Sequence, residues 1–385
     1  MINISPSKAS SKSSASRNYK TRYHNDSIFQ RFHLDPILLA LIAVVLFYAL
    51  FILYSASSAN IIIVERRVLH IFLASMLMVG LAQIPPRYYK AWAPWAYAIG
   101  VLLLLATLFV GHTGKGAQRW LGFGIFKFQP SELLKIACPL LLASYFSNKD
   151  LPLKLIHILV AGLIIIFPVL LIAKQPDLGT ALLIAASGVF VLFFAGIRWR
   201  MIIFATIGTL STLPVLWYFL HDYQKKRILT FLYPEQDPLG SGYHILQSKI
   251  AIGSGGIFGK GWLQGSQAHL QFLPEKTTDF IFAVLGEEFG LVGAIVLLIL
   301  YTLIILRCLD ISTSAQDTFS RLSAGSLTMA FFIYIFINIG MVSGMLPVVG
   351  LPLPLVSYGG TSMVTIMATF GIIMSIKSHR KLLNS

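Results

Sequence analysis

Long, almost uninterrupted apolar stretches recur along nearly the whole chain, and no other feature limits its fold as much. A helix needs about 17 to 25 predominantly apolar residues to cross a bilayer. Runs of that kind fall near 36–57, 68–86, 92–111, 131–147, 155–173, 177–196, 201–220, 279–307, 322–344 and 359–376. Apolar residues fill 56% of the 385 positions and charged residues only 12%, a balance that places the chain among polytopic membrane proteins. The pattern predicts an all-α membrane protein of about ten transmembrane helices.

The formal charge of +15, from 30 Lys and Arg against 15 Asp and Glu, would suggest nucleic acid if the positions were ignored. In a membrane protein, basic residues record topology and contact with anionic lipid instead. Residues 1–34 are Ser-rich and basic and read as a disordered cytoplasmic tail; 35–385 read as one membrane domain. Arg87, Lys90, Lys149, Lys154, Arg198, Arg200, Arg307, Arg321, Lys377, Arg380 and Lys381 then fall on the tail's side, which places both termini in the cytoplasm. Arg66 and Arg67 fall outside, against the trend. Cys138 and Cys308, the two cysteines, lie in different apolar stretches, which argues against a disulfide framework or a thiolate metal site.

Two connections are too long to be plain turns, and both fall on the outer side. One is Gly111 to Lys135. The other, 221–278, precedes the eighth predicted helix and is rich in Gly, with helical spacing of apolar residues over Tyr243 to Ile252. Loops of that length usually carry function when they are not disordered, and this one reads in part as a helix near the outer membrane interface.

Charge inside a bilayer is costly and usually functional, so the stretch "FLPEKTTDFIFAVLGEEFG" stands out. Thr277 or Thr278 can cap a helix, which puts Asp279 on its first turn at the water–lipid boundary. Asp279 is either a reactive carboxylate or simply an acid favoured by the helix dipole. Glu287 lies about 12 Å further along at 1.5 Å per residue, too far to share a proton with it, so a paired-carboxylate glycosidase site is excluded. Glu287 and Glu288 must face protein or a polar cavity, and pairing with a buried Lys or backbone donors is as good a reading as a functional role.

Other charged groups gather at helix junctions. "QPSELLK" sets Glu132 and Lys135 three residues apart on one helical face, able to enter the membrane as a neutralised pair. "AKQPDLGTA" clusters Lys174 and Asp177 around Pro176, either as part of a shared site or as a network that stabilises the loop. "GAQRW" supplies Arg119 and Trp120, suited to a phosphate and to a sugar face or the membrane interface. "LPVVGLPLPLVSYGGTS", which contains Ser357, packs prolines and a Gly-Gly pair before the last span, as a cavity-lining or re-entrant segment would.

These stretches, in this order and on these spans, closely resemble the SEDS family of cell shape, elongation, division and sporulation proteins, from about residue 35 onward. "VVGLPLPLVSYGGTS" is more similar to the rod-shape-determining branch than to the division branch. The resemblance implies a peptidoglycan glycosyltransferase of the bacterial inner membrane. It would polymerise lipid II on the outer face and work in the elongation complex with a class B penicillin-binding protein that crosslinks the product. It also implies that Asp279 is the essential aspartate, that Glu132 and Lys135 are a functional charged pair, and that Arg119, Lys174 and Asp177 are further motif positions.

Lipid II is α-linked to its pyrophosphate whereas the glycan is β-1,4-linked, so one inverting displacement needs one base and a stabilised leaving group. Asp279 is the expected base. Arg119 and Lys276 are the expected pyrophosphate cations, with no obligatory cofactor, although a Mg or Mn ion could share that task. A lipid II flippase and a non-catalytic scaffold are the alternatives; motifs clustered on one side tell against the flippase.

Overall fold

The computed structural model describes residues 32–379, apart from 115–116, 124–125, 150–152, 198–199, most of 202–221, 238–239, 270–271 and 274. The basic tail up to residue 31 and most of the predicted 201–220 span therefore lie outside the described residues.

Helix starts follow local capping chemistry. Helix α1 (Pro36–Ala56) opens with proline at its first position, and Asp35 accepts from the Leu38 amide at 2.7 Å. Helix α2 (Ile61–Ala82) is capped by Asn60, which accepts from the Ile62 amide at 3.1 Å. Helix α3 (Pro86–Val110) leads into three short antiparallel strands in the order β1 (His112–Gly114), β2 (Ala117–Phe123) and β3 (Phe126–Phe128). Helices α4 (Pro130–Phe146), α5 (Leu155–Lys174) and α6 (Leu178–Phe194) follow. The long connection before α10 holds α7 (Asp222–Leu232), a 3-10 turn at Pro234–Gln236, α8 (Ser241–Gly255) and the single turn α9 (Ser266–His269). Helices α10 (Ile281–Thr313), α11 (Thr318–Val342) and α12 (Gly360–Ser378) complete the fold.

The molecule is mostly helical and multi-pass. Among the described residues six helices, α1, α3, α5, α10, α11 and α12, are long and apolar enough to cross a membrane. In α11, 67% of the most apolar window is buried in protein, against 22% in α5, so α11 is central and α5 peripheral.

Three expectations need correction. The fold is not all-α, because the connection between α3 and α4 folds as a small sheet that pairs backbone groups a loop would leave open. The second predicted span, 68–86, starts too late: α2 begins at Ile61 and contains Arg66 and Arg67. Arg67 is 1% exposed and donates to the Leu355 and Gly359 carbonyls at 2.7 and 3.2 Å, so packing overrode the charge rule.

The third correction concerns the eighth predicted span. Helix α10 is broken at Gly290, where φ is 63° and ψ is −157°. Unbroken, its 33 residues would extend about 50 Å, well beyond the roughly 30 Å of hydrocarbon. Residues 281–288 are buried throughout, whereas Leu291, Val292, Ile295, Val296, Ile299, Leu303 and Leu306 form an exposed stripe suited to lipid. Backbone from the long connection before α10 fills the break. Lys260 and Gly261 amides donate to the Glu287 and Glu288 carbonyls, and Leu291 and Val292 amides donate to the Gly256 and Ile257 carbonyls, all at 3.0 Å.

At the opposite end of α1, buried Asp35 accepts from Arg307 of α10 at 2.8 Å and also from Lys377 of α12. The three helices are thereby tied together away from the site described next.

Candidate active site

A cavity of about 590 Å³ opens among α4, α6, α7, α11, the β2 strand and the segments before α10 and α12. Arg119, Trp120, Gln129, Glu132, Lys135, Asp177, Arg227, Asp279 and Tyr334 line it, together with Val349 to Pro352 and Tyr358 to Ser362.

Its first wall is the junction of sheet and helices. Strand β2 presents Arg119, whose Nε donates to the Gln175 carbonyl at 3.1 Å and whose Nη2 donates to the Pro176 carbonyl. Asp177 caps α6, accepting from the Thr180 amide at 3.2 Å, while its Oδ2 accepts from Gln129 at 3.0 Å and lies 3.9 Å from Arg119. Asp177 is therefore committed to holding the junction closed, and Arg119 keeps a face toward the cavity.

The floor is the pair predicted from spacing. Lys135 Nζ donates to Glu132 Oε1 at 2.8 Å, and both side chains are nearly buried. The ammonium also sits 4.9 Å from the ring centroid of Tyr334, a cation–π contact strengthened by desolvation. Glu132 Oε2 is buried and accepts from no described protein group.

Asp279 is half-buried and does not lie on the first helical turn. The chain from 275 to 280 is a turn and α10 begins at Ile281, with no side-chain cap from Thr277 or Thr278. Thr278 Oγ1 instead donates to Glu275 at 2.7 Å. The Asp279 carboxylate faces Gly350, where a Cβ would sit 3.5 Å from Oδ2 and where φ is +73°. A glycine there allows the left-handed turn.

The remaining candidates sit elsewhere. Lys174 is exposed at the end of α5 and does not line the cavity, because the chain turns at Pro176 and carries only Asp177 inward. Lys276 donates to Ser58 at 2.9 Å, over the end of α1, and burial holds its pKa below the ordinary lysine value, partly offset by Glu288. Glu287 is fully buried, accepting from Lys260 at 2.8 Å, Ser266 at 3.1 Å and the Gln267 amide at 2.9 Å. Glu288 accepts from Ser55. Glu287 thus fastens the long connection and Glu288 bonds α1, and neither lines the cavity. Ser357 is also behind the wall, donating to the Thr278 carbonyl at 2.5 Å.

Arg227, Gln129 and Tyr334 line the cavity and were not singled out in the sequence. The basic run "KKR" beside apolar residues in α7 was the one available signal for Arg227. Among the described residues no three His, Cys, Asp or Glu side chains gather as ligands for a Mg or Mn ion. The positive charge at this site is that of Arg119, Lys135 and Arg227.

The family model described as "Cell cycle protein", for FtsW, RodA and SpoVE, matches residues 32–382. The chain belongs to the FtsW/RodA/SpoVE family. It is 53% identical to the peptidoglycan glycosyltransferase MrdB of Escherichia coli K12 over 359 residues, covering 93% of this chain and 97% of that one. Among solved structures, it superposes on a chain of a peptidoglycan synthase complex that coordinates polymerization and crosslinking. The TM-score is 0.81 at 29% identity, over 90% of this chain and 98% of that chain. It also superposes on the rod-shape-determining protein RodA of Thermus thermophilus, with a TM-score of 0.69 at 26% identity, over 90% and 97%. Within the FtsW/RodA/SpoVE family the chain is thus similar to rod-shape members over nearly its whole length.

Proposed function

We propose that this protein is a peptidoglycan glycosyltransferase that polymerises lipid II into β-1,4-linked glycan during cell-wall elongation. The observation that carries the proposal is one cavity that unites a half-buried carboxylate, Asp279, with the cations Arg119, Lys135 and Arg227. Asp279 takes the proton from the acceptor GlcNAc 4-hydroxyl as that oxygen attacks the donor's anomeric carbon. The bond from that carbon to the pyrophosphate oxygen breaks on the opposite face, which inverts α to β. Undecaprenyl pyrophosphate departs with the bonding electrons, and the cations stabilise its growing charge. Arg227 takes the place expected for Lys276, which lies outside the cavity.

Ten crossings with both termini in the cytoplasm accommodate this reading. They are the six long helices, α2, α4, α6 and the 201–220 run, in the bacterial inner membrane. The cavity then opens outward, and the Asp35, Arg307 and Lys377 tie closes the cytoplasmic end. Flipping would need access from both sides. A class B penicillin-binding protein is the proposed partner, in line with the synthase complex this chain resembles.

The test is polymerisation of purified lipid II in liposomes, with and without that partner. Glycan from the wild type, and at least about a hundredfold less from folded Asp279→Asn, is the expected result. Equal polymer from both would remove Asp279 from the chemistry.

A further inference from the structure

We infer that Asn338 is a positioning residue for Asp279, an inference that rests on the proposed role of Asp279 as base. Asn338 is fully buried within α11, one turn from cavity-lining Tyr334. Asparagine in the interior of an apolar helix contributes neither helix propensity nor favourable transfer into the membrane. Its side chain makes its bonds outside its own helix. Nδ2 donates to the Asp279 carbonyl at 3.0 Å and to the Leu351 carbonyl at 2.6 Å.

Those two acceptors belong to the two segments that face each other across the Asp279 carboxylate. Leu351 follows Gly350, the residue against which Asp279 Oδ2 lies. One amide group thus sets the spacing between the carboxylate and its wall. The neighbouring carbonyls of Thr277 and Thr278 accept from the Tyr358 amide at 2.8 Å and from Ser357 Oγ at 2.5 Å. Those donors lie on a loop, whereas Asn338 bonds the reactive residue itself from a long, buried helix. No described group donates to Asn338 Oδ1, so the two carbonyls alone fix the amide's orientation; a flipped amide would set oxygen against both.

A displacement of about 1 Å at a reacting group can cost on the order of a hundredfold in rate. Asn338→Ala is expected to lower kcat for lipid II polymerisation by about ten- to a hundredfold, with KM within about twofold, because the cavity lining is unchanged. Asn338→Asp keeps the shape but supplies at most one donor when protonated, so its kcat should fall less, by several-fold. If Asn338→Ala does not fold, this variant alone decides. Ser248→Ala is the control. It removes a comparable buried bond, 2.8 Å to the Val342 carbonyl of the same helix, that involves neither Asp279 nor Leu351, and its kcat should stay within about twofold of wild type.

Wild-type kcat in Asn338→Ala or Asn338→Asp would overturn the inference, as would a KM that rises in step with the loss, or an equal loss in Ser248→Ala. Failure of the catalytic reading is separable, because Asp279→Asn would then polymerise as well as the wild type.

Discussion

Gly259 and Gly290 pack backbone against backbone: a Cβ on Gly290 would lie 2.4 Å from the Gly259 nitrogen. Both have positive φ, +81° and +63°, and a Cβ on Gly259 would lie 2.1 Å from the Glu288 carbonyl oxygen. This contact is where the long connection enters the break in α10, and it holds the half-helix that follows Asp279.

Gly259→Ala should therefore destabilise the protein by on the order of 3 kcal/mol, combining left-handed strain with a backbone clash. Gly253→Ala should do the opposite. Gly253 is exposed in α8 with open space around its Cβ position, so alanine there gains up to about 1 kcal/mol of helix propensity. Thermal melting of the two variants in detergent checks both signs; equal melting temperatures would show that the Gly259 contact carries no strain.

Removing one member of the floor pair leaves the other charge buried. Glu132→Gln should cost about 3 to 5 kcal/mol, because Lys135 keeps its cation without a counter-charge. The double variant Glu132→Gln with Lys135→Met should recover most of that stability and none of the polymerisation. Melting and lipid II turnover measured on the same preparations separate the two effects.

Arg67 fastens the segment before α12 from behind. Arg67→Met fills the same space but leaves the Leu355 and Gly359 carbonyls without their donor, at a cost of about 1 to 3 kcal/mol each. Arg67→Lys, with a single ammonium in place of a fork, should fall between. A melting temperature for Arg67→Met equal to that of the wild type would contradict this account.

Asp35 gives a pH signature. Burial raises its pKa, but hydrogen bonds from Arg307, Lys377 and the Leu38 amide outweigh burial and lower it from 3.8 to about 2. At about 1.4 kcal/mol per unit, this is on the order of 2 kcal/mol of stability. A depressed carboxylate contributes that stability in full above pH 3.8 and loses it as pH falls toward 2. The melting-temperature gap between wild type and Asp35→Asn should be constant from pH 5 to 8 and shrink below about pH 4.

The first residues of α10 show why facing was harder to read than depth. A helix with one apolar stripe announces its orientation by its period. Residues 281–288 are buried on every side, so no period distinguishes the side facing Asp279 from the side facing Lys260. Depth alone sets Glu287 and Glu288 inward; the structure turns Glu287 toward the long connection and Glu288 toward Ser55 of α1. Lys174 failed for a related reason, since two residues at one junction can diverge when a proline turns the chain between them. Arg67 defied the charge rule because backbone carbonyls, which no sequence pattern displays, supply its partners.

The sequence by itself determined that this chain is a membrane protein, where most of its helices run, and which motif residues tie it to its family. Those properties follow from hydropathy, capping residues and local spacing, which act over a few neighbours. Tertiary packing brought Arg119, Glu132, Lys135, Asp177, Arg227 and Asp279 into one cavity and broke α10 at Gly290 to admit the long connection. It also brought Asn338 to the Asp279 carbonyl, 59 residues away in the chain. The reason is physical: a site assembled from several helices depends on how each one is rotated about its axis. That rotation is set by side chains and backbone groups of other segments meeting in three dimensions, after the helices have formed.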